Sequence, residues 1–290
     1  MGKIAGSALL AWCLAAAAHA APLGTVTIAD GRAHVTRGVS VLVPAEGAIL
    51  EEGDIVELED GALLQVETAD GSALSFSSRA QALLPLAGTG GKPGDLLLAA
   101  GWVKLNLAAA AQVPALATAQ VRLVGQNVIY VATAGADGTQ LFSESGELVP
   151  VFAAAKAGQP AVIKSGDFIA IRPDASVATA RRPPPAFVAA MPKVYLDRLP
   201  MRLSRLKAKG VPMKAERDIA FADVDTWVKR FPAARTALLT QFEPLLKDPA
   251  FVQQLEPAIK DYPEWEQALR PGKSRNAKDK APKKAATKPQ

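Results

Sequence analysis

The sequence is poor in the two residue types that carry thiol and imidazole chemistry. Its 290 residues include one cysteine and two histidines, and both Cys13 and His19 fall in the first twenty positions. If that segment is removed, the remaining chain has no thiol and a single imidazole, His34. Such a chain excludes cysteine-dependent catalysis, disulfides, thiolate zinc sites and metal sites built from several histidines.

Long hydrophobic runs are also lacking beyond the N-terminus. Lys3 precedes an apolar stretch over 4–18, and Ala18-His19-Ala20 matches the small-x-small pattern of a signal-peptide cleavage site. The stretch is shorter than the roughly 20 residues of a transmembrane helix. We therefore predict a cleaved signal peptide over 1–20 and a periplasmic mature protein that does not span the membrane; an uncleaved N-terminal anchor is the alternative.

The net charge of +5 averages two unlike halves. Residues 21–180 hold 9 Lys+Arg against 16 Asp+Glu, whereas residues 181–290 hold 23 against 12. The reversal coincides with Arg181-Arg182-Pro183-Pro184-Pro185, where three prolines favour extended backbone. The pattern predicts a β-domain over 21–180, a proline-rich irregular connector over 181–220 that wraps the core, a helical module over 221–270 and a disordered basic tail over 271–290.

The N-terminal part is predicted to be all-β, as a sandwich or a solenoid-like sheet. Short runs of Val, Leu, Ile and Ala, separated by Gly and Asp-Gly, indicate a series of short strands. The predicted strands are 25–28, 33–43, 54–58, 62–68, 72–77, 95–107, 119–124, 127–133, 139–143, 147–151, 161–164 and 167–171.

Two glycine-ended loops of three residues predict the register of a meander. The loop 69–71 pairs Val66 with Leu74 and Leu64 with Phe76, because a two-residue turn would mix apolar and charged side chains on both faces. The same logic at loop 59–61 pairs Val56 with Leu64. One face is then apolar, and the other carries Glu57, Gln65 and Glu67.

The acidic residues of this part occur at turns. Gly53-Asp54 recurs as Gly166-Asp167, each pair opening an apolar strand, because Gly accepts positive φ and Asp bonds nearby amides. Paired carboxylates could serve a glycosidase, and Glu51-Glu52-Gly53-Asp54 could bind Ca²⁺, but turn chemistry already explains these residues. We predict no enzyme activity, no cofactor and no metal site. The structural turn residues are Gly53, Asp54, Gly61, Asp70, Gly71, Gly166 and Asp167.

The order of these motifs resembles the FecR domain, a periplasmic all-β family of Gram-negative bacteria. Residues 47–56, Gly-Ala-Ile-Leu-Glu-Glu-Gly-Asp-Ile-Val, resemble the family's G-x-x-L-x-x-G-D-x-I segment. Residues 69–76, Ala-Asp-Gly-Ser-Ala-Leu-Ser-Phe, resemble its x-D-G-S-x-L-x-L hairpin. Matches also occur at 24–26, 35–38, 101–105, 117–128, 141–149 and 162–171.

The resemblance implies a protein-interaction or ligand-sensing module rather than an enzyme. Two features depart from the family. Gly125-Gln126 stands where the family has Gly-Thr, and a signal peptide stands where iron-signalling members carry a cytoplasmic anti-sigma segment and a membrane helix. The sigma-factor role therefore does not carry over to this chain.

The helical module is predicted from apolar residues at helical spacing. Asp223 is the expected N-cap of a first helix, Pro232 opens a second over 233–246 that Pro244 kinks or shortens, and Asp248-Pro249 and Tyr262-Pro263 open two more. Five of its aromatic residues form either a ligand platform or, more commonly at such spacing, the core of a small bundle. They are Trp227, Phe231, Phe242, Phe251 and Trp265.

Two functions fit these features. The first is an exported protein whose FecR-like module binds, senses or scaffolds an envelope partner, and the second is a peptidoglycan- or polysaccharide-binding protein. Nucleic acid is excluded as a partner by the compartment. The basic tail is the candidate contact for anionic lipid or wall polymers, through Lys273, Arg275, Lys278, Lys280, Lys283, Lys284 and Lys288.

Overall fold

The computed structural model describes residues 20–86, 94–111, 113, 115–231 and 234–270. The predicted signal peptide, apart from Ala20, and the basic tail with its seven candidate cations lie outside the described residues. None of the helices in the described ranges combines the length and the apolar composition that a bilayer crossing requires.

The fold is mostly β in the N-terminal two-thirds, with short helices at the C-terminus, as the sequence predicts. Sixteen strands lie in the described ranges. They are β1 (Pro22–Asp30), β2 (Ala33–Arg37), β3 (Ser40–Val43), β4 (Ile49–Glu51), β5 (Ile55–Leu58), β6 (Leu63–Glu67), β7 (Ala73–Leu83), β8 (Leu96–Leu107), β9 (Ala115–Ala117), β10 (Val121–Val124), β11 (Val128–Gly135), β12 (Gly138–Ser145), β13 (Val149–Phe152), β14 (Phe168–Ile171), β15 (Val177–Ala180) and β16 (Lys214–Asp218).

These strands form one continuous sheet. Its main path runs β15-β14-β12-β11-β8-β7-β5-β2-β3-β16; β6, β1 and β4 branch from β7, and β9, β10 and β13 branch from β8. Neighbours are antiparallel throughout the described pairs except β8 and β9, which are parallel. The sheet encloses an apolar core that includes Val35, Leu64, Phe76, Leu105 and Leu123.

A sharp corner divides the sheet, and it explains why the predicted pairing of β5 with β6 is wrong. Residues 73–77 of β7 pair with β6, whereas residues 81–83 pair with β5, because Ser78 and Arg79 adopt positive φ between them. The chain also turns at Gly61, between β5 and β6, beside this corner of β7. The predicted pairing of Val66 with Leu74 and Leu64 with Phe76 is confirmed, but Val56 pairs with Val35 and Ala82 instead of Leu64, because β5 and β6 lie on opposite sides of this corner.

Other strand predictions also need correction. The predicted strand 33–43 is a hairpin of β2 and β3, because the chain reverses at Gly38, whose φ is +56°. The predicted strand 161–164 contributes only a bridge between Ile163 and Leu148. Four strands were not predicted: β4, β9, β15 and β16.

The connector (residues 181–220) is more ordered than an irregular segment. Pro185 opens α1 (Pro185–Ala190), where a proline is tolerated because the first helical amide has no partner. Two 3₁₀ turns follow, at Lys193–Tyr195 and Leu203–Arg205. The connector ends as β16, which pairs with β3 at one end of the sheet.

The helical module contains α2 (Phe221–Arg230), α3 (Arg235–Phe242), α4 (Pro249–Leu255) and α5 (Pro263–Leu269). The backbone changes from α to 3₁₀ geometry at Glu243–Lys247, which contains Pro244, so the predicted interruption occurs there. Asp248 caps α4 by accepting a 2.9 Å hydrogen bond from the amide of Ala250. The predicted opening residue Pro232 lies outside the described residues.

The five aromatic side chains considered above as a ligand platform are core residues. All are at most 7% exposed, and they belong to one apolar cluster that also includes Ile55, Leu83 and Ala99 of the β-domain. Arg230 adds a polar link by donating to the carbonyl of Ala99 over 2.8 Å. The helices therefore pack on strands β5, β7 and β8, and the aromatics are not available as a ligand platform.

Asp223 stabilises the start of α2 from the third helical position, not as the N-cap. Ala220 is the N-cap residue, and its amide donates to Asp223 Oδ2 over 2.7 Å. Arg217 contacts both carboxylate oxygens, each at 2.7 Å. Burial alone would raise the pKa of Asp223, but Arg217 and the Ala220 amide outweigh it and hold the pKa below its usual value.

We expect Asp223→Asn to lower the free energy of unfolding by about 1 kcal/mol near pH 7. A depressed pKa in the folded state adds stability above the unfolded pKa, and this stability is lost as the pH falls through the folded pKa. The difference between the wild type and the variant should therefore shrink below about pH 4. Urea unfolding at pH 7 and pH 3 measures it. An equal difference at both values would contradict the prediction, and Asp225→Asn, which removes the exposed ion pair to Lys229, is the control.

Candidate functional site

The connector crosses the outer face of the sheet, which we define as the face of β6, β7 and β8 that points away from the apolar core. Glu67, on this face, is 2% exposed. Its two carboxylate oxygens accept hydrogen bonds from the amides of Arg202, at 2.6 Å, and Leu203, at 3.0 Å. Gln65 donates to the carbonyl of Pro200 over 2.8 Å. Two polar side chains of β6 therefore fix the connector through its backbone.

A second anchor lies on β8. Lys104 Nζ donates to the carbonyls of Tyr195 and Asp197, at 2.8 and 3.3 Å, and contacts Glu144 Oε1 at 2.8 Å. The Tyr195 hydroxyl donates to the carbonyl of Ser75 over 2.6 Å. Burial raises the pKa of Tyr195 well above its usual value, so this phenol remains a neutral donor.

Aromatic packing holds the start of the connector. Phe187 of α1 is 3% exposed, and its ring centroid lies 5.1 Å from those of both Trp102 and Phe168. Tilted and edge-on arrangements of this kind are favourable for aromatic pairs. With Tyr195, these residues form a small apolar cluster on the outer face.

Between these anchors the connector and the sheet leave a groove of about 410 Å³. Its size lies within the roughly 300–1,000 Å³ of typical ligand sites. The sheet contributes Ile129 and Phe142, and the connector contributes Val188, Met191 and Leu199. We call this space the connector groove. Its lining is mainly apolar, and its one buried cation, Lys104, is already paired with Glu144.

Chemically, the connector groove is suited to binding apolar groups. Among the described residues, no group of three or more His, Cys, Asp or Glu side chains is placed to hold a metal ion. His34 lies on β2, away from the groove lining, and its Nε2 contacts Glu216 of β16 at 2.8 Å.

The predicted turn residues lie elsewhere. Asp54 Oδ2 and Asp167 Oδ2 each accept, at 2.9 Å, from the amide three residues earlier, at Glu51 and Lys164. Asp70 Oδ1 accepts from the amide of Ser72 at 2.7 Å. The four glycines all have positive φ between 75° and 85°: Gly53, Gly61, Gly71 and Gly166. None of these turn residues lines the connector groove.

Asp54 has an additional partner. It is 1% exposed, and Arg37 donates to its two carboxylate oxygens at 2.8 and 2.6 Å. Arg37 also contacts Glu51 Oε1 at 2.7 Å. Burial raises the pKa of Asp54, and the hydrogen bonds from Arg37 oppose that effect. The arrangement joins β2 to the turn before β5 and leaves no vacant carboxylate pair there.

Sequence reasoning placed Gln65 and Glu67 on the correct face but did not identify them as anchors. It also missed Lys104 and Tyr195. A signal was present, because Lys104 and Asn106 alternate with apolar residues in a predicted strand, which puts polar groups on the same face as Glu67. What covers that face depends on contacts between residues more than 90 positions apart.

Comparisons with known proteins assign this chain to no family. No family model and no curated protein matches the chain. Among solved structures, it is similar to a "putative anti-sigma factor" from Parabacteroides distasonis, with 11% sequence identity and a TM-score of 0.37. The match covers 44% of this chain and 59% of that one, so this chain spans less than two-thirds of that protein. A similarity of this size assigns neither a family nor a function.

Proposed function

We propose that this chain is an exported, non-catalytic binding protein of the Gram-negative envelope, and that its β-domain is a FecR-like module for sensing or scaffolding. The order of the FecR-type motifs and the signal-peptide pattern support the class and the compartment. The connector groove is the observation that carries the binding function. It is an apolar space of ligand size, held open by buried hydrogen bonds.

The occupant we propose is an apolar segment of an envelope protein. Ile129, Phe142 and Val188 offer apolar contact, and the buried polar groups at the groove are already used inside the chain. A glycan would need several unused donors and acceptors, because each buried hydroxyl left without a hydrogen bond weakens binding. This favours a protein partner over the wall-binding alternative.

A photo-crosslinking residue at Val188 tests the proposal in envelope extracts. Val188 lines the groove and is 38% exposed, so it can reach a bound segment. We expect a cross-linked protein that disappears when Asn106, on the opposite wall, is changed to Trp to fill the groove. The matched control is the same crosslinker at Val149, which is 50% exposed on β13 and outside the groove lining.

The outcomes separate the two functions. Equal cross-linking from both positions, or cross-links that persist in the Asn106→Trp variant, would overturn the groove as the site. Sedimentation with purified peptidoglycan that is lost on deletion of residues 271–290, without any groove-dependent cross-link, would instead favour the wall-binding alternative.

A further inference from the structure

The outward side of the connector carries a concentration of positive charge. Residues 193–214, which we call the basic segment, contain seven Lys+Arg and one acidic residue, Asp197. All seven cationic residues are exposed. The segment lies across a β-domain whose own net charge is negative.

These cations differ from those of the β-domain in having few partners. Six of the eight described Lys and Arg residues in 20–180 form an ion pair. In the basic segment, Arg202 contacts Glu46 at 3.6 Å. The other six have no ion pair to any described residue: Lys193, Arg198, Arg205, Lys207, Lys209 and Lys214.

Exposed apolar side chains accompany this charge. Leu196 is 59% exposed and Met201 is 37% exposed, although both belong to residue types that are usually buried. Cations beside exposed apolar groups are typical of surfaces that rest on the headgroup region of a bilayer, where the charges meet phosphates and the apolar groups enter the interface.

The backbone of the basic segment is also fixed in place. Glu67 and Gln65 hold residues 200–203, and the amides of Gly210 and Val211 donate to the carbonyl of Gly47 at 2.8 and 3.1 Å. Binding through this segment therefore costs less backbone entropy than binding through a segment that lacks such contacts.

We infer that the basic segment is a docking surface for a bilayer containing anionic phospholipid. Its phosphate groups complement the six unpaired cations, and Leu196 and Met201 enter the interface. The acidic β-domain is repelled by the same membrane, so the protein approaches with the connector first. Leu196, Arg198 and Met201 also border the connector groove, whereas the other cations of the basic segment lie outside its lining.

The test is vesicle co-sedimentation of the full chain, using phosphatidylcholine alone or mixed with phosphatidylglycerol. We expect binding to the mixed vesicles only, and its loss when salt rises from about 0.1 M to about 1 M, because the Debye length falls from about 10 Å to about 3 Å. A fourfold glutamine variant of the basic segment should weaken binding by at least about tenfold. Its changes are Arg205→Gln, Lys207→Gln, Lys209→Gln and Lys214→Gln, none of which lines the connector groove.

The matched control removes the same number of charges from the tail, through Lys278→Gln, Lys280→Gln, Lys283→Gln and Lys284→Gln. We expect this control to weaken binding less than about threefold, because its four charges lie outside the basic segment. Equal or greater loss in the control, unchanged binding in the basic-segment variant, or equal binding to both vesicle types would overturn the inference. Because the variant leaves every residue of the groove lining unchanged, cross-linking at Val188 should persist in it, so the two proposals fail separately.

Discussion

Gly101→Ala is expected to lower the free energy of unfolding by about 4 kcal/mol or more, which is exceptional for the addition of one methyl group. Gly101 has a φ of +79°, where an alanine costs about 1–2 kcal/mol. A Cβ atom there would also lie 2.4 Å from the backbone N and Cα of Ala80. These are main-chain atoms at the corner of β7, so they cannot move without disturbing the pairing of β7 with β8.

Gly71→Ala is the matched control, because φ is +85° at Gly71 and a Cβ atom there would meet nothing within 4 Å. Its expected cost is only the backbone penalty of about 1–2 kcal/mol. Urea denaturation at 25 °C compares the two variants. If Gly101→Ala is too unstable to be purified while Gly71→Ala is expressed in soluble form, that result also supports the prediction. Similar midpoints for the two variants would show that the corner tolerates displacement.

Glu67→Ala is expected to free the connector while the rest of the sheet stays folded. The substitution removes the acceptors of the Arg202 and Leu203 amides and one contact of Gln65. Hydrogen bonds to a charged group contribute about 1.5–3 kcal/mol each, so we expect local opening to become easier by about 2–4 kcal/mol. That corresponds to a rise of roughly 30-fold or more in the open population.

Limited trypsin digestion measures this opening, because cleavage after Arg198, Arg202 or Arg205 requires the segment to leave the sheet. The control is Glu46→Gln. Glu46 Oε1 also contacts the Arg202 guanidinium, at 3.6 Å, but the Glu46 side chain is half exposed. That variant should be cleaved at the wild-type rate. Equal cleavage of the Glu67 and Glu46 variants would mean that the Glu67 carboxylate does not hold the connector.

Local patterns predicted those parts of the fold that depend on neighbouring residues. The hairpin at residues 69–71 is an example, because alternation permits only one register across a three-residue loop, and Leu64 does pair with Phe76. Asp248 is another, since a cap needs only the amide two positions ahead. The corner of the sheet was not predictable in this way. It requires positive φ at Ser78 and Arg79 of β7 and at Gly101 of the neighbouring strand β8, which are distant in sequence.

The candidate site was less accessible to prediction than the fold. The turn carboxylates, which are prominent in the sequence, satisfy nearby amides and do not line the groove. Glu67 and Lys104 have the sequence pattern of solvent-facing polar residues in ordinary strands. No residue near them in the sequence indicates that another segment packs over them. Their burial arises only when Tyr195 and Arg202, 91 and 135 positions later, cross the sheet.

The sequence by itself determined the scarcity of thiol and imidazole groups, the β-then-α order and the unequal charge of the two halves, because composition and short-range periodicity do not depend on long-range contacts. Only the tertiary structure decided where the positive charge is presented. The buried hydrogen bonds of Gln65, Glu67 and Lys104 are made to the connector backbone, which leaves its cationic side chains directed to solvent. Those contacts therefore create both the groove beneath the connector and the basic surface above it.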